Sequence, residues 1–79
     1  MAETIMRWMK KNIGLGASIA HCVLRRESNG IYITACGKAN GENFIELTDE
    51  EKELVKYDER ARCKSCDISP RALRPENIT

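Results

Sequence analysis

Two of the four cysteines in the chain form a Cys-x2-Cys pattern, at Cys63 and Cys66. This spacing lets two thiolates of one tight turn reach the same tetrahedral ion, as in structural zinc sites. Redox pairs share the spacing, but they usually open a helix in a thioredoxin-like βαβ unit, and 79 residues leave too little room for that unit. The pattern therefore favours a metal site that needs two further ligands.

A predicted hairpin supplies those two ligands. The segments 21–27 and 31–38 are rich in β-forming residues and flank Asn29-Gly30, a strong hairpin signal because both turn positions need positive φ. A two-residue loop would place Cys36 opposite Val23, with His21 as its diagonal neighbour on the same face. The predicted ligands of one structural Zn²⁺ are therefore His21, Cys36, Cys63 and Cys66.

Cys22 is expected on the other face of the hairpin, as a buried free thiol. The apolar residues that share this face and are expected to form the core are Leu24, Ile31, Ile33 and Ala35. Three alternatives stay open for the cysteines. They could form two disulfides, which a short intracellular chain would not keep, all four could bind zinc while His21 stays in solvent, or they could be buried thiols without metal.

A catalytic role for this site is not expected. Four protein ligands leave no open position for a water molecule on the metal. The chain has one His, so once His21 is a ligand no other imidazole remains for acid–base chemistry. We therefore expect that the protein is not an enzyme.

The metal is expected to contribute much of the stability. In a chain this short a hydrophobic core rarely supplies more than about 3–5 kcal/mol, and only 5% of these residues are aromatic. Structural zinc is worth on the order of 10 kcal/mol in apparent binding free energy. We therefore expect that removal of the metal unfolds most of residues 20–70.

The remaining pattern predicts a small α+β zinc-stabilised domain. Apolar residues at helical spacing predict an N-terminal amphipathic helix over residues 1–14; they are Ile5, Trp8, Met9 and Ile13. Asn40-Gly41 predicts a second tight turn before a strand at 43–47, which completes a three-stranded antiparallel meander of zinc-ribbon type. The zinc-binding hairpin and helix domain is expected to span 19–74, with a flexible tail at 75–79.

A helix is predicted between the meander and the Cys-x2-Cys turn. Thr48 and Glu51 have the spacing of a capping box, and acidic residues fill the first turn, where they suit the helix dipole. Leu54, Val55 and Tyr57 give this helix a narrow apolar face. We expect it to end near residue 59 or 60.

The order of the predicted ligands resembles a known group of proteins. His21, then Cys36-Gly37 at a strand end, then Cys63 and Cys66 are similar to the His…Cys-Gly…Cys-x2-Cys pattern of small zinc-binding proteins of bacteriophages and prophages. The resemblance covers about residues 20–70 and implies a phage or bacterial origin. That group has no shared activity, so the resemblance implies a metal site and no specific function.

Two functions are compatible with these features. The first is a protein-interaction module, such as a small regulator or inhibitor of a host protein, which the formal net charge of +1 and the Trp8/Met9 segment favour. The second is a nucleic-acid-binding module, in which basic residues gather into one stripe: Arg25, Arg26, Arg60, Arg62, Lys64 and Arg71. No segment reaches the roughly 18 apolar residues of a membrane span. We expect a cytoplasmic protein, in the bacterial host if phage-encoded, with a protein partner.

Overall fold

Residues 2–12 and 19–74 are described by a computed structural model, in which a four-stranded antiparallel sheet is followed by two helices. The strands lie in the order β3-β2-β1-β4. Their bounds are Glu3–Lys11 for β1, Ala20–Arg26 for β2, Tyr32–Thr34 for β3 and Phe44–Glu46 for β4. The helices are α1, Asp49–Tyr57, and α2, Lys64–Asp67, with a 3₁₀ turn at Glu59–Ala61 between them.

The predicted N-terminal helix is wrong, because its residues form strand β1 at the centre of the sheet. Trp8 pairs with Cys22 of β2, while Met9 pairs with both His21 of β2 and Glu46 of β4. Neighbouring apolar residues suit a strand that is covered on both faces, because Trp8 and Met9 then point to opposite sides. The register shifts between Thr4 and Arg7, at Met6 with φ of 50°. This bulge breaks the alternation that would have indicated a strand.

The three-stranded meander is also wrong. Strand β4 does not pair with β3 but crosses to the far edge of β1, where Ile45 lies opposite Lys10. Asn40 and Gly41 do not form the predicted tight turn, because neither has the positive φ that this turn requires. Asn40 Oδ1 instead accepts the backbone N–H of Thr34 at 2.9 Å and lies 3.1 Å from the Thr34 hydroxyl oxygen. The side chain of Asn40 thus closes the loop that carries the chain away from β3.

The hairpin between β2 and β3 forms, but in a different register from the predicted one. Glu27 N–H donates to the carbonyl of Ile31 at 2.8 Å, so the loop has three residues and ends at Gly30 with φ of 88°. Gly at this left-handed position is typical of three-residue hairpin loops. A further shift between Val23 and Arg25 places Thr34, and not Cys36, opposite Val23.

Helix α1 begins as the sequence predicts. Glu51 N–H donates to Thr48 Oγ1 at 3.2 Å, and Thr48 N–H donates to Glu51 Oε1 at 2.9 Å, which completes the capping box. The helix ends at Tyr57, two to three residues earlier than expected. Its apolar face is narrower than expected, because Val55 is buried while Leu54 and Tyr57 are exposed.

The two faces of the sheet carry separate clusters of buried residues. The larger cluster joins the sheet to the segments that follow it and contains Trp8, Ala20, Cys22, Leu24, Ala35, Leu47, Val55, Cys63 and Cys66. The smaller cluster lies within the sheet and contains Met9, Val23 and Phe44. Ile31 and Ile33, two expected core residues, are only half-buried.

Two predictions fall partly or wholly on residues that are not described. These are the end of the predicted N-terminal helix, at residues 13 and 14, and the predicted tail at 75–79. Among the described residues, no helix is long and apolar enough to cross a membrane.

Candidate metal centre

The four predicted ligands meet at the edge of β2, beyond the point where β3 ends. The last hydrogen bond on the β3 side joins Ala35 N–H to the carbonyl of Cys22 at 2.8 Å. The chain then turns away through Cys36 and Gly37, which has φ of 70°. The next acceptor along β2, the carbonyl of Ala20, takes the N–H of Cys63 at 2.7 Å. Two segments thus share this edge of β2. The first carries the thiol of Cys36, and the second carries those of Cys63 and Cys66, all close to His21.

The candidate ligand atoms lie close together. One nitrogen of His21 and the sulfurs of Cys36, Cys63 and Cys66 all lie within 4.8 Å of one another. The contact between His21 Nδ1 and Cys66 Sγ is 3.8 Å. The ligand–ligand edge of a tetrahedral zinc site with Zn–S bonds near 2.3 Å is about 3.7 Å. The four residues therefore lie close enough together to hold one metal ion.

The Cys63–Cys66 turn follows from local backbone geometry. Cys63 caps α2 in an extended conformation, and the N–H of Asp67 donates to its carbonyl at 2.9 Å. This single turn of helix brings Cys66, three residues later, back to the side of Cys63. Cys66 is fully buried and Cys63 nearly so, and both sulfurs belong to the cluster with His21 and Cys36.

Hydrogen bonds prepare Cys36 to act as a thiolate. Thr34 Oγ1 lies 3.3 Å from Cys36 Sγ, and the N–H of Lys38 donates to the same sulfur at 3.5 Å. Gly37 allows the bend that turns the N–H of Lys38 toward the sulfur. Burial raises the pKa of Cys36, but these hydrogen bonds and those from Cys66 and Cys63 outweigh it, so the pKa is lowered to about 7.

The pKa values of Cys66 and His21 are shifted in opposite directions. Burial raises the pKa of Cys66 to about 12, and the nearby Cys36 thiolate adds to this effect. Burial first, and then the charge of Lys11, lowers the pKa of His21, which keeps the imidazole neutral at pH 7. A neutral imidazole and a thiolate are the forms that bind metal. A cation in this position would replace the proton that Cys66 otherwise keeps.

Cys22 lies outside the ligand group. Its side chain is fully buried, and its sulfur accepts the N–H of Leu73 at 3.3 Å. Burial raises the pKa of Cys22, so it stays a neutral thiol at pH 7. All four cysteines are free, without disulfides. The arrangement is that of a buried thiol beside a site of one His and three Cys.

Contacts that the sequence did not predict hold the C-terminal half of the site. Arg62, expected in a basic surface stripe, instead pairs with Asp67 at 3.1 Å and donates to the carbonyl of Val55 at 2.7 Å. Trp8 Nε1–H donates to the carbonyl of Leu73 at 2.9 Å. The hint in the sequence was the spacing of Arg62 and Asp67, which bracket the Cys-x2-Cys turn.

Comparisons with known proteins place the chain in no group. No protein-family model, no curated protein and no solved structure matches it significantly. The resemblance to phage and prophage zinc-binding proteins therefore stays a prediction that rests on the ligand pattern alone.

Proposed function

We propose that this protein is a non-enzymatic, zinc-stabilised protein-interaction module. The observation that carries the proposal is the convergence of His21, Cys36, Cys63 and Cys66, whose ligand atoms lie within 4.8 Å of one another. These residues come from β2, the turn after β3, and α2 with its N-cap, so one ion would join three segments that are distant in the sequence.

Zinc suits this donor set better than other common cations. Thiolates are soft ligands and favour Zn²⁺ or Cu(I) over Mg²⁺ or Ca²⁺, which prefer oxygen. A tetrahedral set of three sulfurs and one imidazole nitrogen is a recurrent structural zinc site. The residues would complete the coordination sphere, so the role proposed for the metal is structural.

A protein partner is favoured over nucleic acid by the way in which the basic residues are engaged. Arg25 pairs with Glu27 at 2.7 Å, and Arg62 with Asp67. Arg60 pairs with Asp58 at 3.2 Å. Half of the predicted basic stripe is thus neutralised by carboxylates of the same chain. A binder of phosphates needs cations that can replace counterions along the backbone.

Cobalt substitution tests the metal site. Titration of the reduced protein with Co²⁺ should give one equivalent of a tetrahedral complex, with intense ligand-field bands and thiolate charge-transfer absorption. One equivalent of Zn²⁺ should remove both, because zinc competes successfully for such sites. A weak octahedral spectrum, or saturation at two or more equivalents, would contradict a single closed site.

Salt-dependent retention tests the choice of partner. A nucleic-acid binder is retained on DNA or heparin at low salt and released steeply as salt rises. We expect no such retention. Strong retention that the double substitution of Arg25 and Arg26 by Glu abolishes, with the zinc content unchanged, would favour the nucleic-acid function instead.

A further inference from the structure

Two neighbouring open cavities flank Ile68, just after the metal-binding turn. Their volumes are about 570 and 560 Å³. Both are lined by Arg62, Asp67 and Ile68, so Ile68 forms a ridge between them. We call the ridge and the two cavities the Ile68 surface.

Apolar side chains on this surface are unusually exposed. Ile68 is 74% exposed and Tyr57, at the rim of the first cavity, is 75% exposed. Ile19, in the second cavity, is 45% exposed. Leu73 and Pro70 add further apolar wall to the first cavity. Large exposed apolar side chains that cluster beside cavities are typical of protein-binding surfaces.

The charges around this ridge are mostly positive. Five cationic side chains line the two cavities, against the carboxylates of Glu59 and Asp67; the cations are Lys56, Arg60, Arg62, Lys64 and Arg74. Arg62 is neutralised by Asp67, and Arg60 by Asp58 just outside the cavities. The remaining cations, Lys56, Lys64 and Arg74, outnumber the one remaining carboxylate, Glu59. The surface therefore has a net positive charge, which attracts an acidic partner.

The ridge and two of the candidate metal ligands belong to the same short helix and its caps. Ile68 is the C-cap of α2, and its N–H donates to the carbonyl of Lys64 at 3.1 Å. Cys63 and Cys66 lie in the same turn, on the side that faces the cluster. A metal that fixes the two thiols therefore also fixes the ridge.

We propose that the Ile68 surface binds an acidic peptide segment of a partner protein, with apolar side chains entering the cavities on either side of Ile68. This inference rests on the proposed interaction function and names its site. A second copy is a poorer occupant. A twofold contact through Ile68 would bring Lys64 and Arg74 against the same cations of the other copy, and like charges at an interface cost affinity.

A library of random displayed peptides, selected on the zinc-loaded protein, tests the proposal. We expect the enriched peptides to combine Asp or Glu with Leu, Ile or Phe. Ile68→Asp and Lys56→Glu should each weaken their binding at least tenfold in fluorescence anisotropy. Ile45→Asp is the matched control, since Ile45 is 38% exposed on β4, at the other edge of the sheet. It should leave the affinity unchanged.

Zinc content, measured first on each variant, separates the two proposals. A wild-type protein that contains no zinc would contradict the proposed function. Full zinc loading with no enriched peptide, with basic enriched peptides, or with equal loss in Ile45→Asp would overturn the peptide site alone. The site would also be overturned by self-association that Ile68→Asp abolishes, or by tight binding of a single-stranded oligonucleotide that competes with the peptides.

Discussion

The sheet and the C-terminal segment, residues 59–74, are stabilised in different ways. In the sheet, Val23 is fully buried and Met9 and Phe44 nearly so, in a cluster that includes no predicted metal ligand. The C-terminal segment has only two buried residues, both of them cysteines of the site. Hydrogen bonds and the ligand cluster join it to the sheet, and its partly buried residues Ala61, Ala72 and Leu73 pack against the larger core cluster. The sheet thus has a core of its own. We therefore expect the C-terminal segment to depend more strongly on a bound metal than the sheet does.

Metal removal should have the largest effect and should act unequally on the two regions. Chelation of the reduced protein should abolish amide hydrogen-exchange protection across 59–74. The β1–β2 ladder should keep measurable protection, because its hydrogen bonds and the Met9/Val23/Phe44 cluster do not need the ion. This outcome is narrower than the unfolding of 20–70 that the sequence suggests.

Equal loss of protection in both regions would contradict this distinction. It would mean that the sheet core is too small to persist alone, as the length of the chain suggests. Unchanged protection in 59–74 would instead mean that packing alone holds the C-terminal segment.

The metal affinity should fall as the pH falls, and more steeply below pH 7. Because its pKa is lowered to about 7, Cys36 is already a thiolate above that pH and has no proton to lose. The pKa of Cys66 is raised to about 12, so Cys66 must release a proton when it binds the metal, both above and below pH 7. Below pH 7 the metal also competes with a proton on Cys36. The slope of log affinity against pH should therefore increase by about one proton, measured by competition with a chromophoric chelator.

That slope also tests the difference between the ligands. The pKa of His21 is lowered from its ordinary 6.5 by burial and Lys11, so the imidazole should not contribute to the change near pH 7. Thr34→Val removes the hydroxyl beside Cys36 Sγ and should move the break to higher pH. A break that stays in place would mean that Thr34 does not set the pKa of Cys36.

Arg62→Met should destabilise the C-terminal segment by about 2 kcal/mol, the scale of hydrogen bonds to charged groups. The Arg62 side chain is 12% exposed and spans Asp67 and the end of α1, so its loss removes hydrogen bonds from partly buried polar atoms. Arg60→Met is the matched control. Its side chain is 88% exposed, and loss of such a pair changes stability by about 0–1 kcal/mol. Denaturant titrations of the zinc-loaded variants measure both.

If the two arginine variants are equally stable, Arg62 is not a structural link between α1 and the metal turn. The predicted basic stripe would then regain one of its members.

Thr48→Ala should have the smallest effect, about 1 kcal/mol, because it removes one half of the capping box. Helix α1 lies between the sheet and the C-terminal segment and carries no ligand, so zinc stoichiometry should not change. Glu53→Ala, at an exposed position inside the helix, serves as control and should be nearly neutral. A change in zinc content of Thr48→Ala would show that α1 positions the site.

The sequence predicts the site better than the fold, for a physical reason. The ligand types and the Cys-x2-Cys spacing depend on coordination chemistry, which acts over a few ångströms. Even the wrong hairpin register did not separate His21 from Cys36, because the chain turns away from β2 only at Cys36, whose sulfur still lies within 4.8 Å of a His21 nitrogen. The length of the hairpin loop, in contrast, could not be predicted. A left-handed Gly30 fits both a two-residue and a three-residue loop, so the Asn29-Gly30 pair does not decide between them.

Strand β1 shows why the rest could not be predicted. Trp8 and Met9 are buried on opposite faces of the sheet, but their spacing from Ile5 also fits one face of a helix. Pairing with β2 and β4 decides between the two, and both partners lie outside the segment. The Trp8–Leu73 hydrogen bond joins residues 65 positions apart, which no local pattern indicates.

Native mass spectrometry of the protein produced with zinc, with and without chelator, tests the central claim most directly. We expect one zinc per chain, retained by Cys22→Ser, whose hydroxyl can still accept the Leu73 N–H, and lost or weakly held by His21→Ala and Cys36→Ser. Zinc held equally by His21→Ala, or lost from Cys22→Ser, would contradict the ligand set of one His and three Cys. A metal-free protein four hydrogens lighter than its reduced mass would show two disulfides in place of a metal site.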